Sequence, residues 1–585
     1  MTSKRFLGLI LSLVMLLSCL GVTAVADEVR DIELTGETNK YGWEIPVETL
    51  KFSYYSCDDD ATNQKEEDER LAEVDKVLKD EFNIEIEKLI YAQDSTERLN
   101  LMLAANDYPE VIVGMSDAMA NTFIEQGRAI ELTPYLEKYG QNVLASYGPY
   151  INMLKEDDGS LYKLSSCIGN TTDVMGRDFE IRWDLFEKTG MEVPSSFATF
   201  HDVVKAMVEQ NPTTENGEKV YGFTAFTLKG EEFFATPLLY MGFYNAPTGI
   251  YKMNDDGSIS YWIDTEEGRT VAKYINQFWR EGLIDPDFQT KDYDTSKSFM
   301  SSGRVVANIG TWWHNFVGGH QIWETTDPNY TINKHMRSIT WEETDATPQL
   351  ISNNYIRSAR VIITDKCTDP AAIVRYMDWQ TSPLGVAFNS MGPEGRDKAW
   401  YIGEDGLIYV NDKYWYGDPG NNSFLWDDFE TEECGGWNYP IANPGYTAIN
   451  AVDDPAKGWG DPVSKINMWD LIPDYSKLDP ERLSIGMQMY LLDAQTAKTY
   501  ISDMTAWTVS FSSESEEAII QQDVKEQLLE DWCNCIMASS EEECDALYDV
   551  MVENAHDLGL DKLVAAQQEV VSVNMAKLDG SYFNK

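Results

Sequence analysis

Residues 99–114 read LNLMLAANDYPEVIVG, and how this stretch is parsed decides the fold. An apolar helix runs to a small-residue end at Ala105, Pro109 and an acidic residue follow, and "PEVIVG" is a strand. The helix has its own start signal, because Asp94 with Glu97 three residues later forms a capping box. Upstream, "VETLKFSYYS" alternates toward a strand, Leu71, Val74, Val77 and Leu78 recur at helical spacing, and "FNIEIEKLIY" is strand-like again. Downstream, the segment from Asp117 to Gln126 is a third helix. Strands alternating with helices predict right-handed crossovers and a parallel sheet, with ligand sites at the carboxyl ends of its strands.

A second set of elements begins at "IRWDLFEKTGMEVPSSFATFHDVVKAMVEQNP", residues 181–212. Pro194, Ser195 and Ser196 mark a loop there, and "TFHDVVKAMVEQ" an amphipathic helix. "IYKMNDDGSISYWI" reads as a hairpin turning at Asp256 and Gly257, since Asp-Gly supplies the positive φ angles of such turns. Asp369 and Pro370 are the N-cap and first residue of a helix. A long helix from about Ser513 to Met537 carries Ile520, Val524, Leu528 and Trp532 on one stripe. Residues 395–475 differ in kind. They are rich in Gly, Pro and Asn and hold six of the 17 tryptophans, which predicts an ordered, loop-rich insertion rather than disorder.

With 585 residues the chain is too long for one core, and three or four units are expected. The 98 acidic against 46 basic residues, a net charge of -52, repel polyanions and exclude nucleic acid as a partner. Lys4 and Arg5 precede an apolar run from Phe6 to Leu17, the layout of a secretory signal peptide covering residues 1–26. The run falls short of the roughly 20 apolar residues of a spanning helix. Two ends are open to this leader: lipidation at Cys19, or cleavage after Ala26 behind the small residues Ala24 and Ala26. The apolar "LGVTAVA" that follows Cys19 is unlike a lipoprotein tether, so the cut after Ala26 is preferred. Either end makes the protein secreted or surface-bound. Seven further cysteines, Cys57, Cys167, Cys367, Cys434, Cys533, Cys535 and Cys544, are too scattered for a disulfide framework. Cys533 and Cys535 point about 200° apart on a helix and suit packing or one incidental disulfide rather than a shared metal.

The stretch at 99–114 resembles the "LMLASGDYPDII" signature of family 1 extracellular solute-binding proteins, the receptors of ABC importers. Further stretches follow in that family's order: "GRAIELTPYLEKYG", "DGSLYKL", "IRWDLFEKTGMEVPSSFATF", "FWREGLIDPDF", "FMSSGRVVANIG" and "YDVMVENAHDLGLDKLVAAQQE". "MGPEGRDKAWYIGEDGLIYV" is similar to the larger, oligosaccharide-type branch. The resemblance implies an α/β, two-lobed periplasmic-binding-protein-like fold of type II, hinge-linked, with the ligand in the cleft between lobes. By similarity with maltose-binding members, the chain crosses near residues 165, 350 and 395. The lobes are then 46–165 plus 350–395, and 166–349 plus 396–585. The implied ligand is an oligosaccharide, the implied partner a membrane permease, and the receptor a monomer without cofactor.

The same resemblance nominates the site. In "VVANIGTWWHN", Trp312 and Trp313 follow a buried strand where a tryptophan stacks on sugar in the maltose-binding members, as a flat C–H face of a sugar suits an aromatic ring. Asp117 stands where those receptors carry a hydroxyl-binding carboxylate. Tyr55 lies beyond the first strand, Asn354 and Tyr355 near a crossing, and Arg182 and Trp183 open the second lobe. Ordinary packing for Tyr55 and Tyr355, and a structural ion pair for Arg182, are competing readings. Some members resembling this branch carry a calcium loop. In this chain "NPTTENGEKVYG" keeps Asn211, Thr213 and Glu215 but lacks the later acids, so no calcium is expected.

An enzyme is the main alternative, either a secreted carbohydrate-active enzyme or, without catalysis, a surface lectin. A peptide receptor on the same fold is a third reading. The five histidines form no HExxH, and no GxSxG elbow or phosphate loop occurs. With 98 carboxylates, pairs at glycosidase spacing arise without meaning, so no catalytic residue is assigned.

Overall fold

A computed structural model of the protein describes residues 29–57, 64–89, 94–165, 178–310 and 515–584, with parts of 323–410 and 488–511. Trp312, Trp313, Asn354, Tyr355, Cys19 and the leader, Cys167, Cys434 and most of the tryptophan-rich stretch lie outside the described residues.

The stretch at 99–114 folds as its pattern predicts. The helix Ser95–Ala105 starts at Asp94, whose carboxylate accepts from the amides of Thr96 (3.0 Å) and Glu97 (3.1 Å). It ends at Asn106, which takes the left-handed conformation at φ 52°. The strand Val111–Met115 then enters the middle of a five-stranded sheet ordered Ile84–Leu89, Leu50–Ser56, Val111–Met115, Arg360–Ile363, Leu164–Ser165. The first three strands are mutually parallel, as expected. The sheet as a whole is not, because Arg360–Ile363 runs antiparallel to both neighbours, pairing Arg360 with Met115 and with Ser165. Between Ser165 and that strand the chain contributes Phe179 to Leu350 to a different core, and the strand enters the sheet from the end opposite to its neighbours.

A second, antiparallel sheet is ordered Ala307–Ile309, Phe179–Arg182, Met336–Ile339. Phe179 and Ile181 face an aromatic core that Trp341 and Tyr240 share, while Glu180 and Arg182 face the other way, the period of two that a strand imposes. Helix Phe197–Gln210 opens with a capping box between Ser196 and Thr199. The expected hairpin pairs Gly249–Met253 with Ile259–Tyr261, turning through Gly257 at φ 81° while Asp256 accepts from the Ser258 amide at 2.9 Å. Helix Glu516–Met537 buries Val524, Leu528 and Trp532, with Ile520 partly covered.

Two main cores result. One gathers residues between Tyr41 and Leu164 with others from Ile356 to Ile408, and the other gathers Phe179 to Leu350 with Met504 to Val571. The first core therefore starts before residue 46 and continues beyond 395. Tyr41 and Trp43 pack against Phe82, and Trp400 is fully enclosed with its indole N–H donating to Gly392 O at 2.8 Å. Ile351–Asn353, which follows the last second-core residue before Ile356, pairs in parallel with Ile501–Asp503. Cys57, Cys367, Cys533, Cys535 and Cys544 are free thiols, and Cys533, Cys535 and Cys544 are buried, so the latter three serve packing. Burial pushes the thiols of Cys533 and Cys544 up to about 11. Among the described residues no helix is long and apolar enough to cross a membrane.

The second core is keyed by aromatic stacking: Phe234 lies flat on Trp262 (4.6 Å, 10°), and Trp532 closes edge-on against both. Replacing Trp262 with Ala should cost about 3–5 kcal/mol of stability, because a fully buried indole leaves a cavity its rigid neighbours cannot fill. Urea unfolding measures this, and a loss below about 1 kcal/mol would contradict the packing described.

Candidate functional site

The carboxyl ends of the parallel strands Leu50–Ser56 and Val111–Met115 lie at one edge of the first sheet, and helix Asp117–Glu125 starts there. Ser116 caps that helix through the Met119 amide, which leaves Asp117 at its first position with its carboxylate at the sheet edge. Three elements converge on this carboxylate. Arg360, the first residue of the returning strand, donates from Nε to Oδ1 at 2.6 Å. Lys163, just before the strand Leu164–Ser165, places Nζ 3.2 Å from the same oxygen. Asn121, one turn along the helix, donates to Oδ2 at 3.5 Å and accepts from Lys163 at 2.5 Å. Lys163 also stands 3.9 Å from Glu156.

The cluster is layered. The cation side chains are 9% and 11% exposed, whereas Asp117 is 46% exposed, so the carboxylate faces outward with the positive charges beneath it. Burial works against ionisation of Asp117, but Arg360 and Lys163 outweigh it and hold the carboxyl below its ordinary 3.8. The group is thus a permanently charged acceptor, oriented by fixed partners, and suits ligand hydroxyl donors.

Of the other nominated residues, Tyr55, Arg182 and Trp183 are described, and they are dispersed. Tyr55 is 3% exposed and packs with Leu99, Met102, Tyr108 and Ile112 in a core between sheet and helices. Arg182 makes a bidentate pair with Asp184, 2.8 Å for each bond, and lies over the Trp323 ring at 4.7 Å. Trp183 carries the Arg337 guanidinium on its face at 3.6 Å and donates to Glu187 at 3.2 Å. Strand register sets where these two stand. Ile309 is level with Phe179, and Gly310 donates to Asp178 O, whereas Arg182 is level with Met336. Arg182 therefore stands about 10 Å, three strand residues, from the Gly310 end of the sheet, and Trp183 one residue further along at the start of the next helix. At that end the buried polar face carries Glu180, whose carboxylate accepts from Asn308 at 2.9 Å.

Lys163 and Arg360 are the site residues that sequence reasoning missed. Each is a single basic residue set beside an apolar run, in "LYKLSS" and "ARVIIT", and that isolation was the available signal. Residues 211–222 form a tight turn, with Thr214 and Glu218 bonded to one another and Gly217 donating to Thr214 O. Among the described residues no cluster of three or more His, Cys, Asp or Glu side chains could hold a metal.

The ion pair predicts a definite pH dependence. A carboxyl held below its ordinary value adds stability that is present above about pH 5 and is lost as pH falls through the depressed value. Replacing Arg360 with Met should therefore lower the urea midpoint most above about pH 5 and progressively less below about pH 4. A gap that stays constant from about pH 3 to pH 7 would show that Asp117 and Arg360 are uncoupled.

Comparison with known proteins follows the same architecture. The fructooligosaccharide ABC transporter substrate-binding protein FusA of Streptococcus pneumoniae is 22% identical over 416 residues, 69% of this chain and 73% of that protein. The polygalacturonan/rhamnogalacturonan-binding protein YtcQ of Bacillus subtilis is 21% identical over 257 residues, 42% of this chain and 47% of that protein. The solved structure of an HMO-binding, ABC-transporter-associated solute-binding protein from Bifidobacterium longum infantis superposes with a TM-score of 0.56 at 16% identity. The match covers 90% of this chain and 99% of that one, a likeness of fold. Residues 68–387 match the family described as bacterial extracellular solute-binding protein, and the chain belongs to that family.

Proposed function

We propose that the protein is the capture component of an ABC importer, taking an oligosaccharide between its lobes and delivering it to a membrane permease. The observation that carries this reading is the fixed, outward-facing carboxylate of Asp117 at the carboxyl end of a parallel strand, beside the strand that returns from the other lobe. Sugars offer hydroxyl donors to such a group and flat faces to aromatic rings, the latter being the role we assign to Trp312 and Trp313. The two carbohydrate chemistries among the named relatives, uncharged fructooligosaccharide and anionic polygalacturonan, support the ligand class. Asn354 and Tyr355 adjoin the crossing strand Ile351–Asn353 and complete the proposed cleft. We take the first lobe as the expected 46–165 plus 350–395 extended to Tyr41 and Trp43 at its start and to Trp400 and Ile408 at its end, and the second as the segments around the Phe179–Leu350 and Met504–Val571 core. The receptor acts as a monomer, without catalysis or cofactor.

Titration of the purified protein with a panel of oligosaccharides should give one ligand per chain, a raised melting temperature by mass action, and a smaller radius of gyration by X-ray scattering. Recovered ligand should be chemically unchanged, and any turnover would mark an enzyme instead. Ala at Trp312 or Trp313 should weaken binding at least tenfold, and unchanged affinity in both would move the stacking site elsewhere.

Export is by the 1–26 leader, with cleavage after Ala26. Replacing Cys19 with Ser should leave membrane partitioning of the expressed protein unchanged. Release into the medium only in the Cys19 variant would establish a lipid anchor.

A further inference from the structure

We propose that the ligand is an uncharged oligosaccharide and that the site discriminates against uronate-containing chains. This rests on the carbohydrate reading above and specifies its class. Recognition of a uronate needs a cation with spare capacity at the contact surface, and the Asp117 cluster is built the other way. Its two cations lie below the carboxylate, 9% and 11% exposed, and both are engaged by Asp117. Lys163 is further occupied by Asn121 and neighbours Glu156, so two positive charges meet two negative ones and the group has no surplus. What a ligand meets first is the half-exposed carboxylate.

A uronate brought against Asp117 would set two negative charges side by side. Relief by protonation is closed off, because Arg360 and Lys163 keep Asp117 ionised far below neutral pH. The long-range field acts in the same sense, as the chain carries -52. The tryptophan-rich stretch 411–487 holds fourteen acidic against five basic residues, a net of -9, so it supplies no basic surplus either. Hydroxyl groups of an uncharged sugar donate to the same carboxylate without any of these costs.

The test uses the full mature chain and two size-matched sets of trisaccharides to hexasaccharides. One set is neutral (fructo-, gluco-, galacto-, xylo- and manno-oligosaccharides), and the other is galacturonate, mannuronate and guluronate oligomers, each screened by thermal shift and measured by calorimetry. The best neutral ligand should bind at least tenfold more tightly than any uronate. Its Kd should change less than about twofold between low and high salt, since screening leaves an uncharged ligand unaffected. Asp117→Asn should narrow the preference by at least about fivefold, because it uncovers Arg360 and Lys163. Circular dichroism and the melting temperature of that variant report its folding. Uronate binding equal to or tighter than neutral binding, or tight binding that salt abolishes, overturns the inference while leaving the carbohydrate reading intact. A panel without a ligand in either set overturns the carbohydrate reading and this inference with it.

Discussion

The strand Arg360–Ile363 constrains everything else, because it occupies an interior place in the first sheet between Val111–Met115 and Leu164–Ser165. Those two neighbours are laid down some two hundred residues earlier, and neither interior edge could stay unpaired in a folded lobe. The second-core residues from Phe179 to Leu350 consequently lie, along the chain, between one edge of the gap and the strand that fills it. The first core is resumed after Leu350, and Trp400 and Ile408 are its last described members. The ion pair of Arg360 with Asp117 fastens the returning strand at its first residue, so the element that closes the lobe also fixes the outward carboxylate.

Charge distribution connects this architecture to its use. The protein is strongly acidic, yet its cations are placed economically. Lys163 and Arg360 hold Asp117, Arg182 holds Asp184 while covering Trp323, and Arg337 lies on Trp183. In each case a basic side chain uses its charge or its planar face to orient a neighbour. A carboxylate fixed in this way costs little reorganisation when it accepts a hydrogen bond.

Legibility in the sequence tracked the range of the interactions involved. The cap at Asp94, the turn at Asp256 and Gly257 and the stripe through Val524, Leu528 and Trp532 were readable, since each joins residues within a few positions of one another. The antiparallel return of Arg360–Ile363 was not, because local hydrophobicity is the same for a strand of either direction. Tyr55 shows the same limit at the site: it was expected beyond the first strand, but the strand runs to Ser56 and Tyr55 is paired within it, buried against Leu99 and Ile112.

The amino-acid sequence by itself determined the alternation of strands and helices, the hairpin, the acidic surface and the likeness to solute-binding receptors, all of which arise from local pattern or composition. Tertiary structure alone decided the partners of Asp117, which stand 46 and 243 residues away in the chain. It also decided the separation of Arg182 and Trp183 from the Gly310 end of their sheet. The physical reason is that strand register and long-range ion pairing depend on which edges meet after the lobes assemble, and no periodicity within a segment encodes that choice.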